Sequence, residues 1–519
     1  MHTDAERLEN GSVLEGELCI VGAGAAGISL AREWIGKGRR VLLLEGGGFE
    51  RDARMQDLYR GEIVGLPYFP LEAARLHYFG GTTNHWAGLC APFDAIDFET
   101  RDWVPHSGWP IARADLDPYY ARAQDILDLG PYDYGADHWA RAMGGRTRLP
   151  LDAELVWTKM WQFSKPTRMG RKYRDAIVGA RDVHLYTHAN VVELETAEGA
   201  REVTGLRVRT LGGKEHRVRA RRYVLACCSI QNARLLLESD RHVRGGLGNG
   251  HDVVGRYFME HIEMPAGTMA LATPHVRNVA LYRLDYGKDP ARGELSLGAA
   301  AQRAHRVLNG TTSLQPLNAA APLRSTFQVM TPEVVDAFVR IEQGDTSVVP
   351  ILKRLDDDFR PLRDGERTFR LFSRQEQAPN PDSRVTLGAE RDAMGMRRVR
   401  FDWRLTELDK RSMRTFYAVL GREMGRRGAG RVQVLEWLRG DDERSWPSFL
   451  SGGWHHMGTT RMHRDPKQGV VDANCRVHGI GNLYVAGASV YATSGSANPT
   501  LTLVALTLRL ADHLQATAA

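Results

Sequence analysis

"ELCIVGAGAAGISLAREWIGKGRRVLLLEGG", residues 17–47, decides the fold class. Leu18 to Val21 form an uninterrupted apolar run, the pattern of a short strand buried on both faces, and "RRVLLLEGG" repeats it. Between them "AGISLAREWI" carries Ile28, Ala31, Trp34 and Ile35 at helical spacing, which predicts one helix and a complete βαβ unit. Gly22, Gly24 and Gly27 stand in G-x-G-x-x-G spacing where the first strand gives way to the helix. The first glycine allows a tight turn, the second lets the backbone approach a pyrophosphate, and the third packs helix on strand at the positive helix end. Ala25 and Ala26, between them, join the expected contact set. Glu45 ends the second strand eighteen positions after Gly27, where a ribose 2′-hydroxyl needs an acceptor. An unphosphorylated adenosine ribose is favoured over NADP, while FAD and NAD are not separated by this fingerprint.

The rest of the chain narrows the class. Its 519 residues call for two interleaved or consecutive domains, and 43% apolar with 25% charged residues excludes a disordered chain. The formal charge of +6 comes from arginines spread along the chain and not from one basic block, so no nucleic-acid partner is expected, only a weak preference for anionic ligands. "MHTDAERLENGSVLEGELCIVGAG" has acidic residues and no basic segment leading into an apolar run, so no secretory signal is expected. No stretch approaches eighteen uncharged apolar residues, so no membrane span is expected either. Cys19, Cys90, Cys227, Cys228 and Cys475 include no C-x-x-C pair and no haem attachment site. A cytoplasmic location and no metal site follow as expectations.

Two more segments carry chemistry. In "HYFGGTTNHWAGLCAPFD", residues 77–94, Gly80 and Gly81 precede a polar-aromatic run ending at Trp86. Its amides suit a second anionic or polar group, and a surface turn before a core tryptophan is the other reading. In "GNLYVAGASVYATSGSANPTLTLVALTLRLADHL", residues 481–514, a strand over Leu483 to Ala486 leads through small residues to a helix after Asn498-Pro499-Thr500. Pro499 suits a first-turn position, and Leu503, Leu506, Leu510 and Leu514 repeat at helical spacing. Free amides at that helix start would aim at the electron-rich end of a bound ring.

Taken together, these segments resemble the glucose-methanol-choline (GMC) oxidoreductases, flavoenzymes that oxidise alcohols. Five matches occur in order: the G-x-G-x-x-G with its later Glu, "GGTTNHWAG", "ANVVEL" at 189–194, "VLACCSIQNARLLL" at 224–237, and "HHMGTTRM…NLYVAGAS…ANPTLT". "GGTTNHW" and "ANPTLT" are most similar to the pyranose-oxidase and sugar-dehydrogenase branch. The resemblance implies FAD and an α/β fold, α+β overall, in which a Rossmann-like FAD-binding domain is joined to a sheet-based substrate domain. It implies a discontinuous FAD domain of residues 1–100, 180–261 and 446–519, with 101–179 and 262–445 as the substrate or cap domain. The runs "RVTL" and "RRVRFDWRL" fall in the latter. Gly81, Asn84, His85, Trp86, Val191, Ala488, Pro499 and Thr500 complete the implied cofactor contacts.

Moving a hydride from an alcohol carbon requires removal of the hydroxyl proton, so a base near neutral pKa and fixed donors beside the oxygen are wanted. In the family the base histidine stands three residues before the glycine of a Gly-Thr turn, which in "WHHMGTTRM", residues 454–462, selects His455. The same resemblance makes Asn498 the second polar residue, whose amide can hydrogen-bond the substrate oxygen. In an extended stretch His456 faces away from His455 and becomes a packed or hydrogen-bonded partner. His85 stands where pyranose oxidases carry a histidine joined covalently to the flavin, and contact without a bond is expected here. Cys228 replaces a glycine usual in relatives, which suggests a different backbone course, and no fused haem module is expected.

The sugar-branch resemblance suggests a secondary hydroxyl of a sugar or glycoside, with Gln328, Gln375 and Gln377 as candidate hydroxyl binders. A hydroxyl on a polycyclic or polyhydroxylated natural product, or a non-redox flavin-dependent lyase or isomerase reaction, are the alternatives. Oxygen, a quinone or a separate redox protein is expected to accept the electrons. The oligomeric state is left open.

Overall fold

The computed structural model describes residues 1–165, 167–285, 287–317 and 366–517, together with 337, 340 and 347. The apolar runs of the opening segment lie side by side in an eight-stranded sheet. Its order is His2–Asp4, Val183–Thr187, Val41–Leu44, Val13–Val21, Glu215–Leu225, Val203–Arg209 and Asn190–Thr196, with Leu483–Val485 paired to Glu215–Leu225 off this path. The eleven-residue strand Glu215–Leu225 holds two neighbours on one edge. Its first residues run antiparallel to Val203–Arg209, and Tyr223 to Leu225 run parallel to Leu483–Val485. From His2–Asp4 to Glu215–Leu225 every pair is parallel. Val21, Leu44, Leu225 and Val485 therefore end at one edge, where the loops that follow them converge as in open α/β sheets generally.

The first strand begins at Val13, five residues before the apolar run, because its polar first half pairs with Arg217 to Ala220 and is only partly buried. The helix after the glycines is Ala25–Arg32, shorter than its apolar stripe. Beyond Arg32 the chain tightens into three-residue turns, Trp34 N–H to Ala31 and Ile35 N–H to Arg32, and passes Gly36 at φ +76°. Trp34 stays buried, but Ile35 is 36% exposed and leaves the expected face. The last helix, Pro499–Ala516, carries proline in its first turn and packs on Ala25–Arg32 and Asp117–Ile126. Leu506, Leu510 and Leu514 are buried as the spacing predicts, and Leu503 borders the cavity described below. No helix among the described residues is long and apolar enough to cross a membrane.

A second, antiparallel sheet has the order Gly430–Val434, Ile262–Leu271, Thr368–Gln375, Gly310–Pro316, Ala291–Leu297, Val156–Phe163 and Leu89–Cys90. The helix Glu407–Arg426 packs against it. Residues 1–100, 180–261 and 446–519 supply every strand of the first sheet among the described residues, and only Leu89–Cys90 of the second. The runs "RVTL" and "RRVRFDWRL" do form strands, Arg384–Arg391 and Arg397–Asp402, but not in the second sheet. They pair with each other and with Gly61–Ile63, and pack on the helix Ser229–Glu238. Alternation identified the strands and could not say which sheet would take them.

Candidate active site

A cavity of about 600 Å3 lies where the parallel strands end, lined by residues from Val21 to Leu503. The three fingerprint glycines play distinct parts. Gly22 has φ +102°, and a Cβ there would stand 2.7 Å from the Ala226 carbonyl oxygen. A Cβ on Gly27 would stand 1.8 Å from the Gly22 oxygen, so this glycine packs helix on strand and does not line the cavity. A Cβ on Gly24 would meet nothing within 4 Å, because Gly24 faces the cavity. Ala25 and Ala26 line it beside Gly24, and Val191, Ala488, Pro499 and Thr500 line it elsewhere. Glu45 is buried, and its carboxylate accepts from the Ala23 and Gly47 amides at 2.9 and 3.0 Å. Burial pushes that carboxyl upward while the backbone donors oppose the shift.

The second glycine element meets the first. Gly80 N–H donates to the Ala23 carbonyl at 2.9 Å, and a Cβ on Gly81 would approach the Gly24 Cα to 3.1 Å. The segment thus lines the cavity and is not a surface turn. Trp86 forms a wall, its indole N–H donating to the Thr167 carbonyl at 2.9 Å. Asn84 does not line the cavity; its amide donates to the Phe79 carbonyl and holds the loop. His85 lies on the cavity, stacked on Trp454 with centroids 5.1 Å apart. Neither of its ring nitrogens has a hydrogen-bond partner among the described residues, and burial holds the ring down to about 3, hence neutral. Two buried, orphaned nitrogens beside open glycine backbone fit a dinucleotide that carries a polar ring system.

His455, next in the chain to Trp454, also lines the cavity, its side chain 16% exposed. Its Nε2 is 3.1 Å from Asn498 Nδ2, and Asn498 Oδ1 accepts from the Trp161 indole at 3.2 Å. Its Nδ1 is 2.9 Å from His261 Nδ1, and His261 Nε2 lies 3.1 and 2.9 Å from the Ser494 and Gly495 carbonyl oxygens. The buried Glu260 carboxylate anchors both histidine backbones. One oxygen accepts from His455 N–H at 2.7 Å and His261 N–H at 2.9 Å, and the other accepts from the Tyr68 hydroxyl. Burial pushes the Glu260 carboxyl up to about 7 against these bonds. His456 also lines the cavity, and its Nε2 lies 2.8 Å from the Tyr68 hydroxyl oxygen. It is hydrogen-bonded as expected, but alternation does not remove it from the cavity. His261, Glu263 and His455 bring three ligand-type atoms within 4.8 Å of one another, but Glu263 is held by Arg374 at 2.7 Å and the histidines by each other. The set is a hydrogen-bonded network.

Two family profiles match this chain: one described as FAD dependent oxidoreductase over residues 17–368, the other as GMC oxidoreductase over residues 379–507. The chain belongs to the GMC oxidoreductases. Its cofactor is FAD. Similar curated proteins include the 6'''-hydroxyparomomycin C oxidase of Streptomyces lividus, 26% identical, with 96% of this chain and 92% of that one covered. The fructose dehydrogenase large subunit of Gluconobacter japonicus is 22% identical, with 96% and 98% covered. Among solved structures, a formate oxidase aligns over 98% of this chain and 99% of its own with a TM-score of 0.55 at 17% identity, a likeness of fold.

In this GMC oxidoreductase three expectations change. Gln375 is buried with its amide on Ser373, and Gln377 is spent on structure, accepting from Glu260 N–H and the Trp403 indole while donating to the Phe258 and Arg404 carbonyls. Neither lines the cavity, and Gln328 lies outside the described residues. Cys228 takes φ +70° and ψ 167°, a conformation that belongs almost solely to glycine, so the glycine-like turn is kept and strained. The polar wall is instead Glu263, Arg374 and Arg292 with Ser313 and Gln315, none singled out from the sequence. A local signal existed in the run Glu260-His261-Ile262-Glu263, where three polar side chains crowd into the start of a buried strand and His261 and Glu263 share a face.

Proposed function

We propose that this enzyme oxidises a hydroxyl of a neutral, sugar-like alcohol to a carbonyl, with His455 taking the hydroxyl proton and Asn498 holding the hydroxyl oxygen. FAD, when bound, supplies the acceptor for the hydride that leaves the carbon. Residues 1–100, 180–261 and 446–519 would form its binding domain, with 101–179 and most of 262–445 facing the substrate. The observation that carries the reading is the pair of polar atoms His455 Nε2 and Asn498 Nδ2, 3.1 Å apart on the wall of the cavity that the glycine loops define. A hydroxyl seated beside the pair takes the place of the amide at the Nε2 lone pair, donating to Nε2 and accepting from an Asn498 N–H. As the proton passes to Nε2, the charge growing on oxygen is met by the amide N–H.

The polar wall supports the substrate class. Arg374 pairs with Glu263 at 2.7 Å and with Glu294, behind it, at 3.4 Å, and Arg292 pairs with Glu294 at 2.5 Å. Two carboxylates and two guanidiniums cancel, leaving a wall rich in donors and acceptors with no net charge, which suits hydroxyl groups better than an apolar ring system. Relatives named for fructose and for a hydroxylated paromomycin support the same class.

Anaerobic mixing with a panel of sugars and glycosides tests the reading: a substrate bleaches the flavin absorbance, and a panel that leaves it yellow overturns the proposal. His455→Ala is expected to slow flavin reduction by roughly 10²-fold or more while FAD stays bound. Unchanged reduction would remove His455 from the mechanism. Reoxidation by oxygen compared with a quinone identifies the acceptor. Acid denaturation is expected to leave the yellow colour in the supernatant, as His85 contacting the flavin without a bond requires.

A further inference from the structure

We infer that His261 fixes the tautomer of His455, holding its Nε2 lone pair toward the cavity, and is thereby the positioning residue of the proposed base; this rests on the His455 reading above. His261 is fully buried just before the strand Ile262–Leu271. Its Nε2 faces two carbonyl oxygens, Ser494 at 3.1 Å and Gly495 at 2.9 Å, which can only accept, so Nε2 carries a hydrogen. Burial, reinforced by His455 and Arg374, holds this ring well below the ordinary histidine range, and it is neutral. A neutral imidazole has one N–H, so His261 Nδ1 bears a lone pair. That atom lies 2.9 Å from His455 Nδ1, a hydrogen-bond distance, and His455 must supply the proton. His455 Nε2 is then the bare nitrogen.

The other end of the chain requires the same answer independently. The Trp161 indole can only donate, to Asn498 Oδ1 at 3.2 Å, which turns the Asn498 amide nitrogen toward His455 Nε2 at 3.1 Å. A donor arriving there needs a lone pair on Nε2. Glu263 is not the alternative partner of Nδ1, being 3.8 Å away and held by Arg374. During the reaction the alcohol O–H bond breaks and an Nε2–H bond forms. His455 then carries one positive charge, with its Nδ1–H still donated to the His261 lone pair, and no further proton moves.

The test uses the FAD-loaded enzyme labelled with 15N-histidine, a sugar-like alcohol that bleaches the flavin, and His261→Leu and His261→Asn. The wild-type spectrum should show His455 bare at Nε2, and His261→Leu should populate the Nε2–H form. Flavin reduction in His261→Leu should slow by about 10-fold or more at saturating alcohol, with KM changed by less than about 3-fold. His261→Asn keeps an oxygen at the place of Nδ1 and should recover to within about 3-fold of wild type. A protonated His455 Nε2 in the wild-type spectrum overturns the inference whether or not either variant folds. So does wild-type reduction by His261→Leu. His455→Ala separates the two readings: unchanged reduction there removes the base itself, whereas slow reduction there with normal His261→Leu removes only the role of His261.

Discussion

Desolvation by the cavity walls, and after it the Arg374 guanidinium, hold the His455 imidazole down to about 3. A lowered value favours the neutral ring, the form whose lone pair can take a proton. Protonation, which would abolish the base, therefore sets in only as pH falls toward the lowered value and not through the ordinary value of about 6.5. Apart from a limb near 7 that belongs to the Glu260 carboxyl and is lost in Glu260→Gln, flavin reduction at saturating alcohol is expected to stay level from about pH 8 to about pH 5 in stopped-flow measurements. An acid limb centred near the ordinary value and kept in Glu260→Gln would mean that the base is a solvated histidine and that the pocket does not tune it.

Within the glycine-rich turn, two glycines that look alike in the motif differ in what confines them. Gly27 is confined by backbone, the Gly22 carbonyl oxygen, which cannot move without opening the junction of strand and helix. Gly24 has φ −85° and open space before it, so only a ligand needs it small. Gly27→Ala should yield little folded protein. Gly24→Ala should give a folded chain with an unchanged circular dichroism spectrum and FAD bound at least about 10-fold more weakly, about 1.4 kcal/mol. Equal behaviour of the two variants would show that the pyrophosphate does not pass Gly24. At the active site both His455 and His456 line the cavity, and they differ in their partners: His456 is bonded to the Tyr68 hydroxyl, His455 to Asn498 and His261.

Across the whole molecule the cavity gathers the ends of parallel strands, the start of the last helix and a row of charged side chains from the antiparallel sheet. Glu263 faces Arg374, and Arg374 faces Thr311, in neighbouring strands. A ligand that touches segments so far apart in the chain binds only the folded form. Free FAD at about 100 times its dissociation constant should raise the unfolding free energy of the stripped protein by about 2.7 kcal/mol. Thermal denaturation should show a midpoint that rises with FAD concentration, and a midpoint indifferent to FAD would contradict a cofactor site assembled from both ends of the chain.

Residues contiguous in the chain were legible because their signals are local. The G-x-G-x-x-G turn, the buried strands around it, Glu45 after the second of them, Pro499 at a helix start and the leucine stripe behind it are set by backbone sterics and periodic burial. The spacing before Gly458, read with the family resemblance, selected His455. The partners of His455 had no such signal. His261 lies 194 residues away, Glu260 lies 195 away, and Trp161, which orients Asn498, is 337 residues from it. The glutamines chosen as hydroxyl binders failed for the same reason, since a side chain's type does not say whether its hydrogen bonds go to substrate or to backbone. The sequence by itself determined that a dinucleotide fold would carry a histidine and an asparagine near its end. Only the tertiary structure decided which nitrogen of that histidine is bare, because that depends on hydrogen-bond directions fixed where separate strands and loops meet.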